Sequence, residues 1–281
     1  MIIVKHAGLG CYRLVSNSLK AFNPISCRFY SEFNGSCTLY LLRRECWLIM
    51  DGSNLLGLLF INSANHQVYY IPSSEKPLSV MGLSFLIKKY IRPTGYTLKL
   101  TYSSAGFKAA STYMNVKPIA NLKHMCCSIC SLPLTKPILP EGFEILPMKK
   151  GEEKIRVELQ NSIFGGNKNR IPLTVEEVKD EEKQRGYIGS MCYILKINNK
   201  PSGYGQIMIS NGVYSLINFG ILPSYRGQGL GDFFLKYILS QCKQCGIESL
   251  QLTVDNNNPA ALALYKKNGF IQLYNTAELV F

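Results

Sequence analysis

Residues 222–231 read LPSYRGQGLG: Leu222, Pro223, Ser224, Tyr225, Arg226, Gly227, Gln228, Gly229, Leu230, Gly231. Before them runs an apolar stretch of strand character, residues 214–222. After them, from about Gln228 to residue 245, apolar residues recur at helical spacing. A helix start leaves its first backbone N–H groups without partners and carries a partial positive charge. Glycines ahead of it let successive amides turn toward one concavity, and they remove the Cβ that would block an anion. An arginine in the same turn adds charge-assisted donors. The stretch therefore predicts a strand, a loop that cradles pyrophosphate, and a helix. A glycine-rich turn closing a tight strand–helix connection has the same composition. A P-loop is excluded, because no Gly-Lys-Ser/Thr follows.

Working outward, the pattern predicts a strand at 143–148 and helices at 151–163 and 173–185, the second opened by Thr174 with Glu177 three residues on. Strands follow at 193–197, 204–210 and 214–222, then the helix that stops at Gly246. A strand at 249–254, a helix at 259–268 ending at Gly269, and two short strands near 270–274 and 276–281 complete this half. The first half echoes the order: a hairpin at 46–61, a strand at 68–71 ending on Pro72, a helix at 78–91, a strand at 96–102, a helix at 106–114 and two strands within 116–129. Pro72 aligns with Pro223 and Tyr113 with Tyr265, so the chain reads as two units of one α/β architecture. Each is expected to be a mixed, mostly antiparallel twisted sheet flanked by helices. The proline-rich segment 131–142 reads as a linker between a lobe at 1–130 and a lobe at 143–281.

About thirty residues beyond the loop stands a second pattern, Asn258-Pro259-Ala260-Ala261-Leu262-Ala263-Leu264-Tyr265-Lys266-Lys267-Asn268-Gly269-Phe270. Arg226-x-x-Gly229-x-Gly231 after a strand resembles the acetyl-CoA loop of the GCN5-related N-acetyltransferase (GNAT) superfamily, and the second pattern is similar to that family's Asn-x-x-Ala…Tyr-x-x-x-Gly-Phe helix. The resemblance covers roughly residues 143–281. It implies transfer of an acetyl or other acyl group from acetyl-CoA to an amine of a small molecule or peptide. It also implies cofactor contacts at Gly220, Ile221, Leu222, Arg226, Gly227, Gln228, Gly229, Leu230, Gly231, Asn258 and Tyr265. A backbone amide near residues 220–222 would polarise the thioester carbonyl, and Tyr265 would protonate the leaving thiolate. Gly220 fits a strand bulge that makes room for the pantetheine arm. Asn258 would cap the helix or touch that arm.

This sequence departs from the family where many relatives carry a glutamate on the strand before the loop. Here the strand is YSLINFGIL, with no acid, and Asn218 cannot act as a base. Asp255 is the nearest acidic candidate; Glu177 and its neighbours are expected to be solvated, and water is the third option. The gap leaves a second reading open, a non-catalytic acyl-CoA sensor or interaction module. In the first half, Glu75, Leu78 and Val80 stand where the loop's Arg226, Gly229 and Gly231 stand in the second. A carboxylate and two branched side chains would repel and fill a phosphate cradle, so only the second lobe is expected to bind CoA.

Composition bounds the rest. The chain has 281 residues, 47% hydrophobic, with a net charge of +13. The basic residues of the first half are scattered singly, which disfavours nucleic acid as a partner. No apolar run reaches membrane-spanning length and no leader pattern is present, so a cytoplasmic protein is expected. Ten cysteines then read as reduced thiols, and the pairs Cys127/Cys130 and Cys242/Cys245 as structural rather than metal-binding. His6, His66 and His124 all lie in the first half and are expected to be structural.

Overall fold

The computed structural model describes residues 2–22, 29–30, 33, 35–73, 78, 80–91, 95–102, 119–133, 137–166 and 171–280. Glu75, Tyr113 and the helix expected at 106–114 lie outside them. The chain divides into two compact units. Unit 1 comprises Met1–Lys123, Asp255–Asn257 and Tyr274–Phe281; unit 2 comprises His124–Val254 and Asn258–Leu273. The segment expected as a linker, 131–142, thus falls within unit 2. Its start is tied down by Leu132 N–H donating to the Ile129 carbonyl and by Lys243 Nζ donating to the Leu132 carbonyl.

Unit 1 begins with strand β1 (Ile2–His6), helices α1 (Tyr12–Ala21) and α2 (Cys37–Leu42), and the short strand β2 (Phe29–Tyr30) between them. Strands β3 (Cys46–Asp51), β4 (Asn54–Asn62) and β5 (Gln67–Pro72) form an antiparallel meander. Helix α3 (Val80–Leu86) then leads to β6 (Thr97–Tyr102), which pairs parallel to β5. Period-two alternation splits the side chains between two faces. Leu48, Met50, Leu58 and Phe60 pack with Val15 of α1 and Leu41 of α2. Ile49, Leu59, Val68 and Leu98 pack with Leu83 and Leu86 of α3. The parallel β5–β6 pairing covers only Gln67↔Thr97 and Val68↔Leu98. Farther along β6, its residues Thr101 and Tyr102 pair with β2 instead.

Strand β7 (Ala120–Ser128) runs unbroken where two strands were expected, and leads from unit 1 into unit 2. In unit 2, β8 (Phe143–Pro147) precedes helices α4 (Glu153–Phe164) and α5 (Val175–Glu182). The capping box predicted for α5 is present: Glu177 N–H donates to Thr174 Oγ1 at 3.2 Å, and Thr174 N–H to Glu177 Oε2 at 2.8 Å. The sheet continues in the order β8, β9 (Tyr187–Ile197), β10 (Lys200–Ser210), β11 (Val213–Ile221) and β12 (Ser249–Asp255), with helix α6 (Leu230–Gln244) crossing from β11 to β12. Helix α7 (Pro259–Lys267) and β13 (Ile271–Val280) follow. Met191, Tyr193, Leu195 and Ile207 meet Phe234, Leu235 and Ile238 of α6 on one face. Cys192, Ile194 and Tyr204 meet Leu159 and Ile163 of α4 on the other.

The final strand is one element where two were expected. Its middle is polar, but Asn275 and Thr276 are buried, and Asn275 accepts a hydrogen bond from Asn256 Nδ2 at 3.4 Å. With that partner a polar residue continues the strand instead of breaking it. Residues 275–280 pair antiparallel with β6.

Candidate functional site

The site lies in unit 2, where β11 and β12 part. Their parallel pairing covers only Ser215↔Gln251 and Leu216↔Leu252, yet β11 continues to Ile221 and β12 to Asp255. A wedge opens between their C-terminal ends, and the reason is local. Opposite Gly205 of β10, β11 carries two residues, Asn218 and Phe219, because the register steps from Gln206↔Ile217 to Tyr204↔Gly220. Asn218 takes the left-handed conformation, φ 51°, which asparagine tolerates better than other side chains. The bulge expected at Gly220 is therefore formed by its neighbours. Gly220 answers a different demand, since a Cβ there would stand 2.4 Å from Ile163 Cγ2 of α4.

Beyond the bulge, strand alternation sets which backbone groups face the wedge. Leu222 N–H donates to the Ser202 carbonyl at 2.9 Å and is thereby committed to β10. Ile221, one residue earlier, turns its N–H and C=O to the opposite edge. There its carbonyl accepts from Arg226 Nε at 3.0 Å. Of the three amides expected to serve a carbonyl, that of Leu222 is already engaged with β10.

The loop itself is a single 3-10 turn, Pro223–Tyr225, then Arg226 and two glycines. Gly227 and Gly229 both have φ 77°, and a Cβ on either would meet nothing within 4 Å. Gly229 is the N-cap of α6, and no side chain caps that helix. Its first amides therefore lack a side-chain cap. A Cβ on Gly231 would make ordinary contact, 3.6 Å, with Leu264. Arg226 does more than face the cradle: its Nη2 donates to the Ile163 carbonyl at 2.6 Å while its Nε holds Ile221. The guanidinium ties the loop to the end of α4.

Sequence reasoning missed Asp232, in the first turn of α6. It accepts from Lys267 Nζ at 2.9 Å, Asn268 Nδ2 at 2.8 Å and Lys236 Nζ at 3.0 Å. Partial burial works to raise its pKa, but the bonds from Lys267, Asn268 and Lys236 prevail and hold it at about 2. The carboxylate thus latches α6 to the end of α7.

Asn258 caps α7, its Oδ1 accepting from Ala261 N–H at 3.1 Å. Tyr265 is 8% exposed, with its ring against Phe219 and Phe270. Its hydroxyl forms no hydrogen bond with the described residues, yet it is not one of their sealed, unpartnered polar atoms. Burial pushes its pKa up to about 12, so the proton stays on oxygen at neutral pH. Asp255 accepts from Asn257 N–H at 2.7 Å in a tight turn and belongs to unit 1.

A second cluster was not foreseen. Arg156 of α4 is fully buried, and its Nη2 donates to Glu181 Oε1 of α5 at 2.7 Å. Gln206 Nε2 donates to that same oxygen. Gln206 Oε1 accepts from the Tyr204 hydroxyl at 3.2 Å and from Asn218 Nδ2 at 3.4 Å. Glu181 was expected to be solvated with Glu177, but its side chain is only 20% exposed. The other candidates stay apart from this cluster. His124 is hydrogen-bonded to Thr253 Oγ1, His6 lies against Trp47 and His66 against Tyr96. Cys127 and Cys242 are buried free thiols whose pKa values burial raises to about 11 and about 12. Among the described residues no group of acids, histidines and cysteines is arranged to hold a metal, and no helix is long and apolar enough to cross a membrane.

Residues 158–270 match the family model described as Acetyltransferase (GNAT) family. Mycothiol acetyltransferase of Streptomyces griseus is 21% identical over 183 residues, covering 63% of this chain and 59% of that protein. The chain spans about half the length of the curated relatives it matches. A GCN5-related N-acetyltransferase from Sphaerobacter thermophilus shares the fold, with TM-score 0.63 and 15% identity over 99% of this chain and 94% of that one. So does a tandem GNAT protein from the clavulanic acid biosynthesis pathway, with TM-score 0.53 and 13% identity over 100% of this chain and 98% of that one.

Proposed function

We propose that this chain, whose residues 158–270 match the acetyltransferase (GNAT) family model, transfers an acetyl group from acetyl-CoA to an amine by direct attack. The observation that carries the reading is the wedge between β11 and β12, which ends on an uncapped helix start with two left-handed glycines facing open space. That loop suits a pyrophosphate, whose oxygens would fill the room a Cβ leaves empty. Acetyl-CoA would supply a thioester ready for acyl transfer. The amides at 227–231 would bind its phosphates, and Arg226 would hold the loop in shape while adding charge. Ile221 N–H would donate to the carbonyl oxygen as negative charge grows there. The Tyr265 hydroxyl would donate to the departing sulfur; with its pKa raised, it acts as a donor and not as a base. The acceptor is a small-molecule or peptide amine.

In unit 1 the equivalent parting of β5 and β6 is met by β2, a piece of the chain's own backbone. This supports confining the cofactor to unit 2. Calorimetry with acetyl-CoA tests the reading: one site per chain is expected, and no binding would end it. A second reading, a non-catalytic acyl-CoA sensor, is favoured by the absence of an acid on β11. Acetyl-CoA binding without release of free CoA across a broad amine panel would select it.

A further inference from the structure

We propose that Glu181 is the acceptor-side carboxylate of unit 2, with Oε2 receiving a substrate ammonium and taking its first proton. This rests on the acetyl-transfer reading and deepens it: the acceptor enters as a protonated amine, not as an alcohol or a thiol. Three observations carry it. Glu181 Oε1 is consumed by Arg156 and Gln206, while Oε2 forms no hydrogen bond among the described residues. The side chain keeps 20% exposure although its arginine partner keeps none, so the carboxylate has one pinned face and one open face. Gln206 also accepts from Asn218, the residue that forms the bulge, so the carboxylate stands two hydrogen bonds from the strand edge where the wedge begins.

Arg156 explains why the carboxylate holds its position. Its Nε and Nη1 are sealed without hydrogen-bond partners, and its guanidinium carbon lies 5.3 Å from the centre of the Tyr204 ring. A buried cation so placed depends on one anion, and it fixes that anion's orientation. The groups facing Glu181 are Arg156 from α4, Gln206 from β10 and Cys192 from β9, with Tyr204 behind them on Arg156 and Gln206. The chemistry balances. The ammonium gives one proton to Oε2, which passes it to water. The freed nitrogen pair forms the C–N bond to the acetyl carbon as the C–S bond breaks, with its electrons leaving on sulfur. The Tyr265 hydroxyl protonates that sulfur, and the second nitrogen proton restores the hydroxyl. The products are an amide, a free thiol and one proton.

The test compares Glu181→Gln with the double variant Arg156→Met/Glu181→Gln. The amine is the one giving the highest rate in a panel of amino acids, amino sugars, diamines and short peptides, read as free CoA. Glu181→Gln is expected to lower thermal stability by stranding Arg156, and the double variant to regain it. Both are expected to lose about 10- to 100-fold in kcat/KM for the amine. The acetyl-CoA dissociation constant is expected to stay within about twofold. Recovery of kcat/KM together with stability in the double variant would reduce Glu181 to a counter-ion and overturn the inference. So would an unchanged kcat/KM in Glu181→Gln, or acetyl-CoA binding by the parent protein with no amine acetylated. Failure of the parent protein to bind acetyl-CoA would instead remove the underlying reading.

Discussion

Replacing Gly220 with alanine probes how the wedge is built. The added Cβ would stand 2.4 Å from Ile163 Cγ2, roughly 1 Å inside an ordinary carbon–carbon contact. Ile163 is a buried core residue in the last turn of α4, so relief requires that turn to move. Overpacking of this kind costs about 1–3 kcal/mol. The displacement would not stay local, because the Ile163 carbonyl accepts from Arg226 Nη2 at 2.6 Å. Acetyl-CoA affinity should therefore fall with stability, although the added methyl meets α4 and not the loop itself. Ile163→Ala alone should cost about 2–5 kcal/mol through its cavity. Combined, the two changes should cost less than their sum by about 1 kcal/mol or more, since truncation removes the methyl that clashes. Urea titrations read by hydrogen exchange in β9 to β11 would measure each arm. The single tryptophan, Trp47, lies in unit 1 and serves as an internal reference. Strict additivity, or a Gly220→Ala protein as stable as the parent, would refute the packing explanation of this glycine.

Other consequences can be measured directly. Gly229→Ala forces a Cβ into a left-handed position, φ 77°, and should cost about 1–2 kcal/mol while weakening acetyl-CoA binding in calorimetry. Arg226→Ala removes bonds to two carbonyls and should lower both stability, by about 1–3 kcal/mol, and acetyl-CoA affinity, at least about tenfold; a change in affinity alone would deny the clamp. Tyr265→Phe should reduce turnover by about 10-fold or more with little change in melting temperature, because its hydroxyl holds nothing in the described protein. Asp232 has a folded pKa of about 2 against an ordinary 3.8, so its contribution is present above pH 4 and is lost as pH falls toward 2. Acid titration of stability should show about 1–2 kcal/mol of this loss, reduced by solvent screening of the lysines, and Asp232→Asn should abolish it.

Local signals were legible in the sequence. The glycine loop, the start and stop of α6 and α7, and the capping box of α5 depend on residues a few positions apart. What stayed hidden depends on partners brought in by the fold. The segment VEEVKDEE reads as a solvated face; Arg156, 25 residues earlier, and Gln206, 25 residues later, draw Glu181 out of it. Asp232 reads as a helix-start acid paired with Lys236; its other partners, Lys267 and Asn268, lie 35 and 36 residues on. The direction of the Arg226 side chain was equally out of reach, since the carbonyl of Ile163 is 63 residues away. One signal could have been used: an asparagine inside the apolar run YSLINFGIL is the residue type that accepts a left-handed backbone, and Asn218 does so.

The path of the chain has a practical outcome. It enters unit 2 at His124, returns to unit 1 for Asp255–Asn257, goes back at Asn258, and gives its last segment, from Tyr274, to unit 1. A single scission near residue 130 would leave the amino-terminal fragment without the strand that runs beside β6, and would strand that same strand on the other piece. Dissecting the molecule by expressing its halves separately would thus yield one fragment with an unsealed sheet edge, prone to pair with whatever strand it meets. Two halves supplied together should find each other by restoring that missing strand.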